Sequence, residues 1–449
     1  MMKQIVFFIF TLIYAVYGWC AEPLTFKGCS AASIGIYISE LATGRVVARH
    51  NDAKSFVPAS VMKCVTAASA QTMLDSGSPF TTRVEIRGHV NDGVLDGNLY
   101  VVGAGDPTLG SRHFMERDSF TFAVVEWLEE LGVDSIAGDI IIDNGGYPAI
   151  GMSPYWLLED TAWEYGAGLY GINYKDNSFS MTLRLGEAGV ADEMVEVVNM
   201  LKRGQKSDVV AMRGEGSSLL TVSGTLSTSS YTSRYSMPAP EIVLYDDMLQ
   251  EFRLNGIKVG GEYIDSESGL VRSFGYDSPL RDEILKVMMF KSNNLFAEGM
   301  LRAIVKSSDD KTYGNAVAVE KDLWSGKGMD LSTSRWLDGS GLAPVNRISP
   351  RVLASILEYM AKSGGSKEYV GLFPRAGREG TVKSLLAKTR LEGTFAMKSG
   401  SMNGVLCYAG FKLNAKGVPS HVVVIMVNGA SCRSAEIRAS IGRYLLSVF

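Results

Sequence analysis

Residues 57–73 read VPASVMKCVTAASAQTM, and the rest of the chain is organised around this stretch. Its small and apolar residues predict a helix, and Pro58 fits the first turn because no hydrogen bond is lost there. Ser60 and Lys63 lie three positions apart and therefore share one face of that helix. A serine near a helix N-terminus with a lysine as its base is a nucleophile arrangement. The same spacing is common on ordinary helices, so what favours chemistry here is a lysine within an apolar segment.

The composition is that of an ordinary globular protein. The chain has 449 residues, of which 46% are hydrophobic and 20% charged, and this length predicts two or more lobes. A formal net charge of -4 without a long basic run disfavours nucleic acid as a partner. The four histidines show no H-E-x-x-H or other helical pairing, so we expect no metal, no cofactor and no histidine-based triad: His50, His89, His113 and His421.

Residues 1–21 are predicted to be a secretory signal. Lys3 precedes an uncharged apolar run, and small residues follow it. The run is short for a membrane span, and the alternative interpretation is an uncleaved anchor that associates the protein loosely with a membrane. The cysteines are widely spaced, so we interpret them mostly as buried small side chains and leave a disulfide between two of them open: Cys20, Cys29, Cys64, Cys407 and Cys432.

The order of predicted helices and strands along the chain indicates a domain built from two separate segments. A strand hairpin and the Ser60 helix come first, and helices, strands and an amphipathic C-terminal helix return after residue 279. Between them lie short strands separated by Gly, Asn and Asp, with one predicted helix at 120–131. We therefore predict an α+β fold in which residues 22–82 and 276–449 form a composite lobe. Residues 83–275 form a β-rich inserted region, in two nested subdomains.

Ser292-Asn293-Asn294 is a second candidate element, in a loop between two predicted helices. A hydroxyl and an amide two positions apart can both face a cleft. Ser292 could then relay a proton, and Asn294 could bind a substrate carbonyl or hold Lys63. The competing interpretation is a helix cap, because Ser and Asn begin helices well.

Lys398-Ser399-Gly400, at the end of a predicted strand, is the third element. A lysine and a hydroxyl there can hold a substrate carboxylate, and Gly400 permits close approach of another backbone segment. The N–H of Ser401 could then join that of Ser60 in an oxyanion hole. The competing interpretation is an ordinary strand-edge lysine followed by a turn.

The order S-x-x-K, S-x-N, K-[S/T]-G is typical of penicillin-recognising serine enzymes. The chain closely resembles D-alanyl-D-alanine carboxypeptidases/endopeptidases of the class C, low-molecular-mass penicillin-binding type. The resemblance extends over most of the mature chain, through G-D-P-T-L at 105–109, D-G-S-G-L at 338–342, N-R-I-S-P at 346–350 and F-P-R-A-G at 373–377. The sequence differs from the family's motifs at two positions without losing a catalytic group: Asn293 replaces the common Asp, and Ser399 replaces the common Thr.

The resemblance implies a β-lactamase/transpeptidase-like catalytic domain and a mechanism. Ser60 would attack the carbonyl between two D-alanines of a peptidoglycan stem or cross-link. Lys63, kept neutral by desolvation and by Lys398, would take its proton, and Ser292 would pass a proton to the leaving amine. Lys398 and Ser399 would orient the terminal carboxylate. β-Lactams would acylate the serine and act as covalent inhibitors.

The resemblance also implies an exported, periplasmic bacterial protein whose partners are peptidoglycan peptides. The inserted region would supply a pocket for the diamino-acid side chain together with residues of the composite lobe. The candidate residues are Trp156, Glu159, Asp160, Tyr165 and Met402.

Two alternatives compete with this hypothesis. A β-lactamase of the same fold would share Ser60, Lys63 and Lys398, but the large insertion argues against it. A catalytically inactive wall-binding protein is disfavoured because every motif keeps its catalytic groups. The rate of penicillin turnover and labelling by fluorescent penicillin separate the three classes.

Overall fold

The computed structural model describes Phe26 and residues 29–117, 119–187, 189–192, 195–260, 270–306 and 310–449. The predicted signal at residues 1–21, with Cys20, lies outside these described residues. Among the helices that are described, none is both long and apolar enough to cross a membrane.

A five-stranded antiparallel sheet joins the two ends of the chain. Its strands lie in the spatial order Phe395–Met402, Val405–Leu413, Pro419–Asn428, Ser33–Glu40 and Val46–His50. The strand Ser33–Glu40 pairs with the central strand, which is the last strand of the chain, with Ile36 opposite Ile425. Residues close to both termini therefore share one sheet.

Both faces of this sheet are buried. Successive side chains of a strand point to opposite faces. Along the last strand, Val422 and Val424 accordingly enter one apolar core, and Val423 and Ile425 enter the other. Burial on both sides explains why this strand is continuously apolar instead of alternating.

Helices of the composite lobe cover the two faces. One core contains side chains from six helices: Lys63–Met73, Arg281–Lys291, Asn294–Ala303, Tyr313–Gly326, Pro350–Lys362 and Ser366–Gly371. The other core contains the C-terminal helix, Ser434–Val448. The predicted α+β fold is confirmed.

Two cysteines form a disulfide that the sequence left open. Cys29 is bonded to Cys432, which precedes the C-terminal helix. Cys64 and Cys407 are free and buried, as expected for small apolar side chains. The disulfide ties the N-terminal segment to the C-terminal one.

The inserted region begins with a six-stranded sheet. It is built from the strands Thr81–Asn91, Val94–Val102, Ser135–Ile136, Ile140–Asp143, Lys258–Val259 and Leu270–Asp277. Thr81 pairs with Asp277, so the two points at which the chain passes between the composite lobe and the inserted region lie side by side. Both points are just outside the predicted limits of 83 and 275. The division into domains stays a prediction.

Two helices pack on this sheet where the sequence predicted one. The helix Phe120–Glu130 confirms the prediction, whereas the helix Pro240–Leu254 lies in a region that was interpreted as β-rich. Leu244, Met248 and Phe252 lie four apart on its buried face, which is a helical spacing.

A separate small β-structure occupies residues 178–236. Its strands are Ser178–Arg184, Gly189–Asp192, Val195–Arg203, Asp208–Met212, Leu219–Leu226 and Ser230–Ser236, in one four-stranded and one two-stranded sheet. It has its own apolar core around Leu220 and Val222. The segment before it, including the short helix Leu158–Thr161, faces the composite lobe at the site described next.

Candidate active site

Ser60 lies in a tight turn at the start of its helix. The turn is a 3-10 segment, Ala59–Met62, and the α-helix begins only at Lys63. Ala59 adopts a φ of 48°, which is uncommon for a residue with a side chain. The predicted continuous helix therefore starts with a strained turn that carries Ser60.

Lys63 is the centre of the contacts around Ser60. Its side chain is wholly buried, and its Nζ lies 3.0 Å from Ser60 Oγ. The same Nζ donates to Asn294 Oδ1 at 2.6 Å and to the carbonyl of Ser340 at 2.8 Å. A neutral amine has two N–H groups for these two acceptors and one lone pair for the serine hydroxyl.

Burial and charge favour that neutral amine. Desolvation lowers the pKa of Lys63 well below its ordinary value, and the positive charge of Lys398 lowers it further. Glu298 and Asp338 oppose this shift, but more weakly. Lys63 is thus suited to accept a proton from Ser60.

Asn294 connects the Lys63 amine to the inserted region. Its Oδ1 accepts from Lys63, while its Nδ2 donates to the carbonyl of Tyr165 at 2.7 Å. The neighbouring Asn293 accepts the N–H of Phe296 and caps the helix Asn294–Ala303. The cap interpretation therefore holds for Asn293, and Asn294 has the contact with Lys63 that the sequence suggested.

Ser292 and Lys398 form a second pair. Ser292 ends the helix Arg281–Lys291 in a left-handed conformation with a φ of 58°. Lys398 Nζ donates to Ser292 Oγ at 2.8 Å and to the carbonyl of Ser399 at 2.7 Å. Lys398 is wholly buried, and this burial lowers its pKa to about 7.

The predicted part of Lys398 in carboxylate binding stays a prediction. The described residues that line the two cavities beside Ser60 do not include Lys398, and its amine is occupied by Ser292 and a backbone carbonyl. Lys398 is therefore arranged to exchange a proton with Ser292.

Gly400 lies against the turn that carries Ser60. A Cβ at Gly400 would be 2.6 Å from Pro58 O and 2.8 Å from the backbone N of Ser60. This is the close backbone approach that the sequence predicts for a glycine at this position. Ser401, one residue further, lines both cavities beside Ser60.

The loop 338–342 supports the site from the other side, a contribution that the three sequence motifs do not indicate. Ser340 supplies the carbonyl that accepts from Lys63, and Glu298 Oε atoms accept the N–H groups of Gly339 and Ser340 at 2.8 and 2.9 Å. Burial and the Asp338 charge raise the pKa of Glu298 to about 7. The D-G-S-G sequence was the available signal. The contact with Lys63 is made by a backbone carbonyl, however, and residue type does not indicate such a contact.

One helix links these parts. On the helix Asn294–Ala303, Asn294 contacts Lys63 and Glu298 accepts hydrogen bonds from the 338–342 loop. The buried Arg302 donates to the carbonyls of Leu169 and Gly151 at 3.0 and 3.3 Å. The three side chains are spaced four residues apart and so share one face of the helix. Composite lobe and inserted region therefore meet along this face.

The larger cavity beside Ser60 has a volume of about 600 Å³ and is shared by both parts of the chain. Tyr165 Oη donates to Asp160 Oδ1 at 3.0 Å, and burial raises the pKa of this carboxyl. The predicted substrate-binding residues on its wall are Glu159, Asp160, Tyr165, Ser401 and Met402.

Trp156 does not belong to this wall, which corrects the prediction. Its side chain is buried, packs with Leu342 and Ala343, and donates through Nε1 to Asp338 Oδ2 at 2.9 Å. Trp156 thus anchors the 338–342 loop. Within the described part of the chain, no group of three or more His, Cys, Asp or Glu side chains could hold a metal ion.

The fold and the Ser60–Lys63 pair define a serine peptidase. The chain belongs to the D-Ala-D-Ala carboxypeptidase 3 (S13) family, which matches residues 24–445. The D-alanyl-D-alanine carboxypeptidase DacB of Haemophilus influenzae is 24% identical over 446 residues, with 92% of this chain and 89% of that protein covered.

Two solved structures share the fold. The crystal structure of penicillin binding protein 4 from Haemophilus influenzae matches with a TM-score of 0.77 at 22% identity, covering 93% of this chain and 96% of its own. A predatory peptidoglycan endopeptidase from Bdellovibrio bacteriovorus matches with a TM-score of 0.51 at 14% identity, covering 93% and 92%. The β-lactamase/transpeptidase-like architecture with its insertion is therefore confirmed.

Proposed function

We propose that this protein is a serine-type D-Ala-D-Ala carboxypeptidase and/or endopeptidase that acts on peptidoglycan stem peptides and cross-links through an acyl-enzyme on Ser60. The observation that carries the proposal is the 3.0 Å contact between Ser60 Oγ and the amine of a wholly buried Lys63. Family membership and the activity named for the Haemophilus relative supply the substrate class.

Acylation begins with Lys63 neutral and Lys398 protonated, because desolvation and then the positive charge of Lys398 lower the pKa of Lys63. Lys63 takes the hydroxyl proton as Ser60 Oγ attacks the carbonyl carbon. The N–H groups of Ser60 and Ser401 hold the oxyanion. When the C–N bond breaks, Ser292 donates a proton to the leaving nitrogen, and Lys398 at 2.8 Å replaces it.

Deacylation reverses these proton transfers. Water attacks the acyl carbon and loses a proton through Ser292 to the now neutral Lys398. Lys63 returns its proton to Ser60 Oγ as the ester bond breaks. Both lysines thus regain their starting states, and each turnover adds one water across the peptide bond.

The larger cavity supplies the site for the substrate side chain. Glu159 and Asp160 give its wall two carboxyl groups, which suit the ammonium end of a diamino acid. Tyr165 and Met402 add aromatic and thioether surface for the methylene chain. We also propose that residues 1–21 export the protein to the bacterial periplasm, where its substrate lies; the hydropathy pattern supports this.

Mass spectrometry after exposure to a β-lactam tests the proposal. The intact protein should gain the mass of one β-lactam, and peptide mapping should locate the adduct on Ser60. Ser60→Ala should gain nothing, whereas substitution of the exposed Ser218 by Ala should label like the wild type.

An adduct on another residue, or no adduct, would refute the assignment of Ser60. Release of the adduct within seconds would favour a β-lactamase over a peptidase. Release of D-alanine from a D-Ala-D-Ala peptide measures the proposed activity itself.

A further inference from the structure

The smaller cavity beside Ser60 is chemically unlike the larger one. It has a volume of about 360 Å³, and all its lining residues belong to the composite lobe. Seven of them carry hydroxyl groups, one is apolar and one is an arginine: Ser60, Ser292, Thr381, Ser399, Ser401, Tyr408, Ser434, Leu406 and Arg438. Among these described residues no side chain is acidic, so the cavity favours an anion.

Strand register brings the arginine to the K-S-G strand. Ser399 pairs directly with Tyr408 on the neighbouring strand. Arg438 Nε donates to Tyr408 Oη at 3.3 Å, and Ser399 Oγ donates to Thr381 Oγ1 at 2.7 Å. Because Nε makes the bond to Tyr408, the two terminal nitrogens of the guanidinium stay available for a planar two-oxygen acceptor.

Arg438 has no acidic partner in the described chain. On the same helix, Arg433 pairs with Glu436, and Arg443 donates to Ser440 Oγ. No described Asp or Glu oxygen lies within salt-bridge distance of Arg438, although the side chain is half-buried. An arginine keeps its charge under all ordinary conditions, so this cavity holds an uncompensated cation.

The lysine of the K-S-G element does not supply that cation. Lys398 Nζ is bonded to Ser292 Oγ and to the carbonyl of Ser399, and the side chain does not line this cavity. A substrate anion in the cavity would therefore meet Arg438 and the hydroxyls, within reach of Ser60.

We propose that Arg438 is a specificity-determining residue that binds the carboxylate on the residue leaving from the scissile bond. The inference rests on the proposed function, in which that residue is a D-amino acid with a carboxylate beside its nitrogen. The carboxylate accepts two parallel hydrogen bonds from the guanidinium, and the hydroxyl of Ser401 adds a further donor. Ser434 places the first turn of the C-terminal helix on the same wall, where its N-terminus favours negative charge.

The test compares two substrates with the same acyl group. One is an acylated D-Ala-D-Ala peptide, and the other is an ester whose leaving group has a neutral amide in place of the carboxylate. Arg438→Gln should lower kcat/KM for the peptide about 10- to 100-fold, mainly through KM, because a charged hydrogen-bonding pair is lost. The ester should change by less than threefold. Arg443→Gln on the same helix is the matched control and should leave both rates unchanged.

Two further variants separate binding from structure. Arg438→Lys keeps the charge and should recover part of the loss. Tyr408→Phe keeps the ring but frees the guanidinium, and should lower the peptide rate about three- to tenfold without affecting the ester. Arg438→Lys decides the test if thermal melting shows that Arg438→Gln is unfolded.

Equal losses on both substrates would overturn the proposal, because they indicate a structural role. Unchanged peptide kinetics in Arg438→Gln, or in a folded Arg438→Lys when the Gln variant is unfolded, would overturn it as well. A wild-type protein that hydrolyses neither substrate would instead refute the proposed function.

Discussion

Gly400→Ala tests whether the K-S-G strand positions the nucleophile. An alanine Cβ at Gly400 would lie 2.6 Å from Pro58 O and 2.8 Å from the N atoms of Ser60 and Val61. Ordinary contact begins near 3.4 Å, so the turn would have to retreat by the difference, 0.6 to 0.8 Å. Gly400 is not among the residues with positive φ, so the effect is steric rather than conformational.

The magnitude follows from this displacement. Overpacking of a buried site costs about 1–3 kcal/mol of stability. A nucleophile displaced by nearly 1 Å loses roughly 100-fold in rate. We therefore expect the acylation rate with a fluorescent penicillin to fall between about 30- and 300-fold, while the variant remains folded by circular dichroism.

The chain provides a matched control. Residues 362–364 also read K-S-G, at the end of the helix Pro350–Lys362, and a Cβ at Gly364 would meet nothing within 4 Å. Gly364→Ala should acylate like the wild type. Acylation of Gly400→Ala within threefold of the wild-type rate would refute the geometric argument.

Three further predictions follow from the contacts. Lys63→Met should lower acylation by penicillin about 10²- to 10⁴-fold because the general base is lost, and a folded variant that acylates normally would exclude Lys63 as the base. The kcat/KM for a peptide should rise with pH as Lys63 loses its proton. It should fall again above about pH 7, because Lys398 then loses the proton that the leaving nitrogen needs. A profile that stays flat from pH 7 to 9 would contradict this assignment. Replacing Cys29 and Cys432 by serine should lower the free energy of unfolding by about 2–4 kcal/mol in urea titrations, and dithiothreitol should destabilise the wild type but not the double variant.

Much of the site could be predicted because its side chains follow local patterns. Ser60 and Lys63 are separated by one helical turn, and the order of three short motifs selected one family. The K-S-G at 362–364 shows that the tripeptide alone is not sufficient, since there it lies at the solvent-exposed end of a helix. Position after a strand, and not the tripeptide itself, distinguishes Lys398.

The remaining contacts depend on chain segments that meet only in three dimensions. Ser340 acts through its backbone carbonyl, which any residue carries, so no residue type indicates its contact with Lys63. Cys29 and Cys432 are separated by 403 positions, and their pairing follows from the sheet that joins both ends of the chain. Trp156 resembled a pocket aromatic, but the carboxylate of Asp338 draws its indole N–H into the core.

The pairing of Ile36 with Ile425 has a consequence for synthesis on the ribosome. The strand Ser33–Glu40 can pair with Val46–His50 at once, but its other edge stays unpaired until residues 419–428 have emerged. The sheet of the inserted region, in which Thr81 pairs with Asp277, can close much earlier. Contacts between such distant positions also form slowly. A translation product that ends before residue 395 lacks both Lys398 and the strands that complete this sheet, so it cannot assemble the contacts around Ser60.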